Sequence, residues 1–350
     1  MTQQGVDAPG PQGAAAVVEP AEGADGALER IRTLVRGQQF LLLIALVVLV
    51  VFFTIERSAF ISQTEISNLL NDWSTVVLLA VGETFVIVSG GIDLSVGSTV
   101  TISGVVAAKV MGGMTGTSEP VILIVGLLVC IAIGLLVGAI NVLLINVARL
   151  VPFVATLATL GAGAGFALVI SGGAPVGADS QAIEFTTPKL WVFSWPVLAI
   201  IAIVVVSYLY LHYSRFGRFT FAIGSNRFAA RAAGIAVKRQ IAKIYMLSGL
   251  LAGITGMFYF LRLGSGAPTS GSGEELQAIA AVVIGGVSLL GGVGRLGGAL
   301  IGAAILTVVT DGLVIINVNP NWNQVAVAGL IAAAAALQAL RPGRGLTSSD

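Results

Sequence analysis

Long stretches of the chain carry almost no charge, and polar residues gather in the short intervals between them. Such stretches lie near 39–55, 74–90, 96–111, 120–145, 152–170, 196–213, 241–261, 276–291, 296–316 and 323–340. A bilayer's hydrocarbon core is about 30 Å thick, and a helix rising about 1.5 Å per residue needs about 20 apolar residues to cross it. The pattern predicts an all-α polytopic membrane protein with about ten transmembrane helices. Several stretches are short or broken by glycine, so some helices are expected to be discontinuous. Two breaks read alike, "VSGGIDLSVG" at 88–97 and "VIGGVSLLGG" at 283–292, about 195 residues apart. Such recurrence hints at two related halves, the plan of many transporters.

The transmembrane region 39–341 is flanked by 1–38 and 342–350, both read as cytoplasmic tails. Residues 1–29 are Ala, Gly, Pro, Gln and acid, which cannot bury a core and are expected to be disordered. They have neither the basic start nor the early apolar run of a signal peptide.

Composition agrees with a membrane protein. Hydrophobic residues make up 56% of the chain and charged ones 10%, with a mean hydropathy of +0.97. A net charge of +1 gives no basic face for nucleic acid, so membrane lipid is the expected surroundings. With one cysteine, Cys130, and one histidine, His212, neither an internal disulfide nor a His/Cys metal site is expected. If the N-terminus is inside, fourteen of the 18 Lys and Arg fall on the inner side, and Arg57, Lys109, Lys189 and Arg262 on the outer. That asymmetry predicts that both termini lie in the cytoplasm. Trp73, Trp191, Trp195 and Trp322 fall at expected outer ends, where amphipathic rings gather.

Candidate chemistry begins with "SGGIDLSVGS". Gly90, Gly91 and Gly97 weaken a helix and allow close backbone approach. Asp93, Ser95 and Ser98 can satisfy backbone groups freed at a break. Asp93 reads either as a cap for orphan N–H groups or as the lining of a water-filled pathway, and one residue can serve both. Glu83 and Asp311 are the other acids in apolar surroundings. With Asp93 they could form a proton relay, but they are far apart in sequence with no basic residue close, and structural polar contacts are expected for Glu83 and Asp311.

The inner loop 214–240 contains "SNRFAARAAGI", read as a short helix capped by Asn226 and ended by Gly234. Its alanines suit docking into a partner's groove, although an ordinary positive-inside loop would also explain its charge. The stretch "IGGVSLLGGVGRLGGALIGA" at 284–303 is not a phosphate loop, because no lysine follows a glycine. Gly285, Gly286, Gly291, Gly292 and Gly294 are read as helix packing at a tight turn. No Ser/His or Cys/His arrangement supports nucleophilic catalysis. An ion-coupled secondary transporter and a structural membrane partner stand as alternatives to a permease lacking its own catalysis.

"GGIDLSVGS" (90–98), "VPFVATLATL" (151–160), "GSNRFAARAAGI" (224–235) and "IAAVVIGGVSLLGGVGRLGG" (279–298) together resemble the permeases of bacterial ribose/xylose/galactose-type sugar ABC importers. The resemblance runs from about 40 to 340. It implies a plasma-membrane subunit without cofactor or enzyme activity, paired with a second permease chain, identical or different. It also implies a separate ATP-binding subunit and an extracytoplasmic sugar-binding protein. Asn226, Ala229, Ala230, Arg231, Gly234 and Ile235 become the ATPase-docking segment. Here Ser225 replaces the family's glycine, and Arg227 and Phe228 replace its acids. The resemblance makes Gly90, Gly91, Asp93, Ser95, Gly97 and Ser98 the break beside the translocation pathway, with Asp93 holding backbone N–H groups rather than sugar.

Overall fold

The computed structural model describes residues 38–114, 116–177, 190–319 and 321–339. The two expected tails lie outside these residues except for Gln38, which opens the first helix. Arg30, Arg32, Arg36, Lys189, Arg341 and Arg344, used above for orientation, are also outside them.

The described residues form twelve α-helices: α1 (Gln38–Glu56), α2 (Gln63–Val88), α3 (Val96–Gly112), α4 (Glu119–Asn146), α5 (Pro152–Ser171), α6 (Trp195–Tyr213), α7 (Arg215–Ser225), α8 (Arg227–Ala232), α9 (Val237–Leu263), α10 (Glu274–Ile284), α11 (Leu296–Ile315) and α12 (Trp322–Ala339). A 3-10 turn, Ser58–Ile61, precedes α2. The one sheet among the described residues pairs Val176–Gly177 antiparallel with Ser265–Gly266.

Seven helices, α1, α2, α4, α5, α6, α9 and α11, are long and apolar enough to cross a membrane. The expected stretches near 96–111 and 323–340 are the shorter apolar helices α3 and α12. The stretch near 276–291 differs more. Its helix, α10, has 11 residues and ends at Ile284, too short to cross a bilayer alone. Helix α2 begins well before 74, because Ser62 caps it by accepting from Glu65 N–H at 3.3 Å. Trp73 therefore lies inside the helix rather than at its end, and its indole N–H donates to Leu300 O at 3.2 Å.

Helix α2 is the buried axis, with 83% of its most apolar window inside the protein. Helix α9 packs against α2, α3 and α4. Its contact with α4 is made by small residues at i, i+4 spacing. A β-carbon on Gly134 would run into Gly249 O, and one on Gly253 into Cys130 O. Such close approach replaces the hydrophobic drive that lipid removes. Helix α1 is peripheral, with 6% of its window buried, and it packs mainly on α11, where the Phe53 ring covers Gly312.

Candidate translocation and docking site

Helices α2, α8 and α10 all end in the same backbone motif. After α2, Gly90 takes φ +80°, Gly90 N–H donates to Ile87 O at 2.9 Å and Gly91 N–H to Val86 O at 3.1 Å. After α10, Gly286 takes φ +84°, Gly286 N–H donates to Val283 O at 2.9 Å and Val287 N–H to Val282 O at 3.1 Å. After α8, Gly234 takes φ +81°, with its N–H on Arg231 O and that of Ile235 on Ala230 O, both 3.0 Å. Each is a Schellman end, which needs a left-handed residue and so favours glycine.

The segment 89–95 between α2 and α3 is non-helical and, apart from exposed Gly90 and half-buried Ile92, is buried inside the protein, where its backbone can be satisfied. Asp93 organises it. Oδ1 accepts from Ser95 N–H at 3.0 Å and Ser95 Oγ at 2.6 Å, and Oδ2 accepts from Ser248 Oγ of α9 at 2.8 Å. Asn141 of α4 donates to Ser95 Oγ at 2.8 Å, and Thr159 of α5 donates to Asn141 Oδ1 at 2.7 Å. Thr156 Oγ1 donates to Ile92 O at 3.2 Å. One carboxylate thus ties the break to α4, α5 and α9. Asn141 and Ser248, polar residues in apolar runs, are functional positions that the motifs alone do not mark.

Glu83 makes a structural contact with the break: its Oε1 accepts Asp93 N–H at 3.1 Å, and both residues are buried. The expectation that no basic residue is close to these acids needs correction for Asp311, because Asp72 and Arg262 stand near it and form an ion pair. Sequence distance hid this neighbour, since α9 and α11 both pack on α2.

The other motif residues have distinct places. Gly97 lies against the Glu275 carboxylate and Gly271 O, and Ser98 Oγ donates to Ser95 O at 3.1 Å beneath Gly163. Gly285 meets Gly298 and Ala299 where α10 crosses α11. Gly291 and Gly292 take φ +83° and +72° in the α10–α11 loop, and Gly294 lies on the Val287 side chain. His212 Nε2 accepts Leu296 N–H at 3.3 Å at the start of α11.

These loops converge. Gly292 N–H donates to Val88 O at 2.8 Å. A β-carbon on Gly291 would lie 2.9 Å from Gly90 Cα, and one on Gly224 of α7 would run into Val88 O. The α2–α3 break, the α10–α11 loop and the end of α7 therefore touch backbone to backbone. Next to them opens a cavity of about 1250 Å³ bordered by Gly90, Arg149, Arg227, Arg231, Lys238 and Arg239. Of the expected pathway residues, Gly90 reaches this cavity, whereas Gly91, Asp93, Ser95, Gly97 and Ser98 are buried inside the protomer.

Helix α8 stands at the cavity edge. Asn226 caps it, accepting from Ala229 N–H at 2.9 Å. Ala229, Arg231 and Gly234 are exposed and Ile235 is half-buried. Ala230 turns inward, 4% exposed, into the main core. Phe228, read as a mere departure from the family pattern, is the large apolar residue of the helix and is 83% exposed. One turn of helix puts residues 228 and 230 on different faces, which the string of alanines did not reveal.

A bundle of membrane-length helices with an interrupted pair and a capped surface helix over a basic cavity has the build of a multi-pass membrane permease. Residues 65–335 match the family profile described as branched-chain amino acid transport system / permease component. The ribose import permease protein RbsC of Escherichia coli (strain K12) is 35% identical over 300 residues, covering 83% of this chain and 90% of that one. RbsC of Bacillus subtilis (strain 168) is 39% identical over 291 residues, covering 82% and 88%. The galactose/methyl galactoside import permease protein MglC of Escherichia coli (strain K12) is 34% identical over 324 residues, covering 88% and 95%. The chain belongs to this family of ABC importer permeases, the non-catalytic membrane components that work with an ATPase and a binding protein. Membership sets aside both the ion-coupled and the purely structural alternatives.

Proposed function

We propose that this chain carries a monosaccharide across the bacterial plasma membrane, receiving it from an extracytoplasmic binding protein while a separate subunit hydrolyses ATP. Two permease chains, identical or different, pair to form the path, and both tails of the 39–341 domain face the cytoplasm. The ten apolar stretches act in two related halves. The Schellman ends at Gly90 and Gly286 support that kinship, since each closes a helix within a Gly-Gly pair, although the left-handed glycine is the first of one pair and the second of the other.

The observation that carries the mechanism is the backbone contact among Val88, Gly224 and Gly292. Helix α8, with Arg231 and Phe228 outward, docks on the ATPase. A displacement of α7–α8 then reaches the α2–α3 break and the α10–α11 loop without passing through flexible side chains. The basic rim of Arg149, Arg227, Arg231, Lys238 and Arg239 calls for an acidic surface on the ATPase. Asp93 holds the break in shape and does not touch sugar.

The test is uptake by the complete complex in proteoliposomes, with D-ribose, D-allose, D-galactose and L-leucine offered in turn. Uptake of a sugar that needs ATP and survives a protonophore supports the proposal. Uptake of leucine alone, or collapse with the proton gradient at constant ATP, refutes it.

A further inference from the structure

At the end of the bundle away from α8, helices α2, α9, α10, α11 and α12 enclose a second cavity of about 630 Å³. Its wall has an unusual excess of unused acceptors. Glu274 Oε2, Thr307 Oγ1, Asp311 Oδ2 and Asn323 Oδ1 are buried and carry no hydrogen bond. Two belong to side chains more than nine-tenths buried, Glu274 at 8% and Thr307 at 3% exposure. A buried oxygen without a partner costs about 1–3 kcal/mol, so four together mark a place where partners arrive from outside.

The chemistry of the partner follows from the wall. The free carboxylate and amide oxygens accept, and the Thr307 hydroxyl can also donate, so the ligand must offer donors and can use an acceptor of its own. Nothing in the wall attracts an anion, and the one nearby cation, Arg262, is already paired with Asp72. Among the described residues no group of His, Cys, Asp and Glu is arranged to hold a metal ion. Val76, Leu276, Val327 and Ile331, with the ring of Tyr259, complete the wall with apolar surface. Hydroxyl donors on a carbon frame that also offers C–H faces fit this wall, as an ammonium would, and the sugar-import reading selects the neutral polyol. The volume is at the scale of small-molecule sites. The cavity also connects to the helix break, because the Glu275 carboxylate lies on Gly97 and Gly271 N–H donates to Thr101 Oγ1 at 3.0 Å.

We propose that this cavity is a binding station for the hydroxyl groups of a monosaccharide in transit, with Thr307, Asp311 and Glu274 setting which sugar is accepted. The proposal rests on the sugar-import reading and adds to it the place of recognition within the permease. Thr307→Val is the informative substitution. It replaces, at nearly equal volume, a hydroxyl that bonds to nothing, so it should leave stability unchanged or improved while weakening sugar binding. A structural residue would not behave this way.

The experiment uses the full chain in lipid nanodiscs and saturation-transfer NMR with D-ribose, D-allose, D-galactose, 2-deoxy-D-ribose, choline and L-leucine. The expected result is transfer to at least one of the sugars, reduced severalfold in Thr307→Val and in Asp311→Asn but not in Lys109→Ala, an exposed change outside both cavities, with melting temperatures no lower for Thr307→Val. Absence of transfer to every sugar, transfer to choline alone, or sugar signals unchanged in both cavity variants would overturn the proposal. The proteoliposome assay keeps the two ideas apart. Sugar uptake that persists with unaltered selectivity in both variants removes the station and leaves the import reading standing, while a wild type that binds sugar but imports none removes the import reading alone.

Discussion

Replacing Asp93 separates a structural carboxylate from one that moves protons. In Asp93→Ala the Ser95 backbone N–H, fixed in place and buried, loses its acceptor at 3.0 Å. Leaving such a donor unsatisfied costs about 1–3 kcal/mol. The hydroxyls of Ser95 and Ser248 lose their acceptor too, but they can rotate, so together they add about 1–3 kcal/mol at the usual net worth of a hydrogen bond. The total is on the order of 4 kcal/mol, large against a typical stability of about 5–15 kcal/mol. In Asp93→Asn the amide oxygen still accepts from Ser95, and the amide N–H can donate to Ser248 Oγ, because a hydroxyl works in either direction. That variant should lose about 1 kcal/mol or less. The assay is the melting temperature of the detergent-purified permease, followed by uptake normalised to assembled complex. Asp93→Asn should melt near the wild type and keep much of its uptake, while Asp93→Ala should melt well below and assemble poorly. Equal loss of normalised uptake in both variants with normal assembly would refute the capping argument. So would an Ala variant as stable as the wild type.

Three further outcomes follow from the geometry. Gly292→Ala should uncouple transport, since its β-carbon would meet Ser225 Cα and N at 2.7 Å and separate the loops. ATP hydrolysis by the complex should persist while uptake falls severalfold, and normal uptake would count against backbone coupling. Phe228→Ser should lower ATPase co-purification without lowering the melting temperature, whereas Ala230→Glu should lower the melting temperature itself by burying a charge. Swapped outcomes would reverse the assigned faces of α8. Arg262→Gln should cost about 1 kcal/mol through its half-exposed pair with Asp72, and a double-mutant cycle with Asp72→Asn should recover most of it.

Much of the framework was legible because it depends on local order. Runs of apolar residues marked the long helices, Asn226 and Gly234 marked the ends of α8, and the Gly-Gly pairs at 90–91 and 285–286 marked two interruptions. The small-residue seam at Gly134, Gly138, Gly249 and Gly253 was also present as spacing, though nothing local distinguishes it from other membrane glycines. What escaped depends on folding back. Glu83 and Asp93 are ten residues apart yet share a hydrogen bond, because the chain reverses after Val88. Asp72, Glu274 and Asp311 line one cavity only because α2, α10 and α11 stand together. Hydropathy marked where a helix could run, but not how deep α10 ends or which way Ala230 points. The first depends on α2, far earlier in the chain, and the second on how α8 settles against its flanking helices α7 and α9.

The thinly buried first helix has a consequence for how the protein is made. Of the described helices α1 leaves the ribosome first, yet Phe53, its main anchor, settles on Gly312 of α11. At about 5–20 residues per second, the intervening chain takes roughly 10–50 s to synthesise. For that interval α1 resides in lipid with most of its eventual partner not yet translated. Its own apolarity must hold it there, and a chain halted before α11 would leave it undocked and open to quality-control proteases.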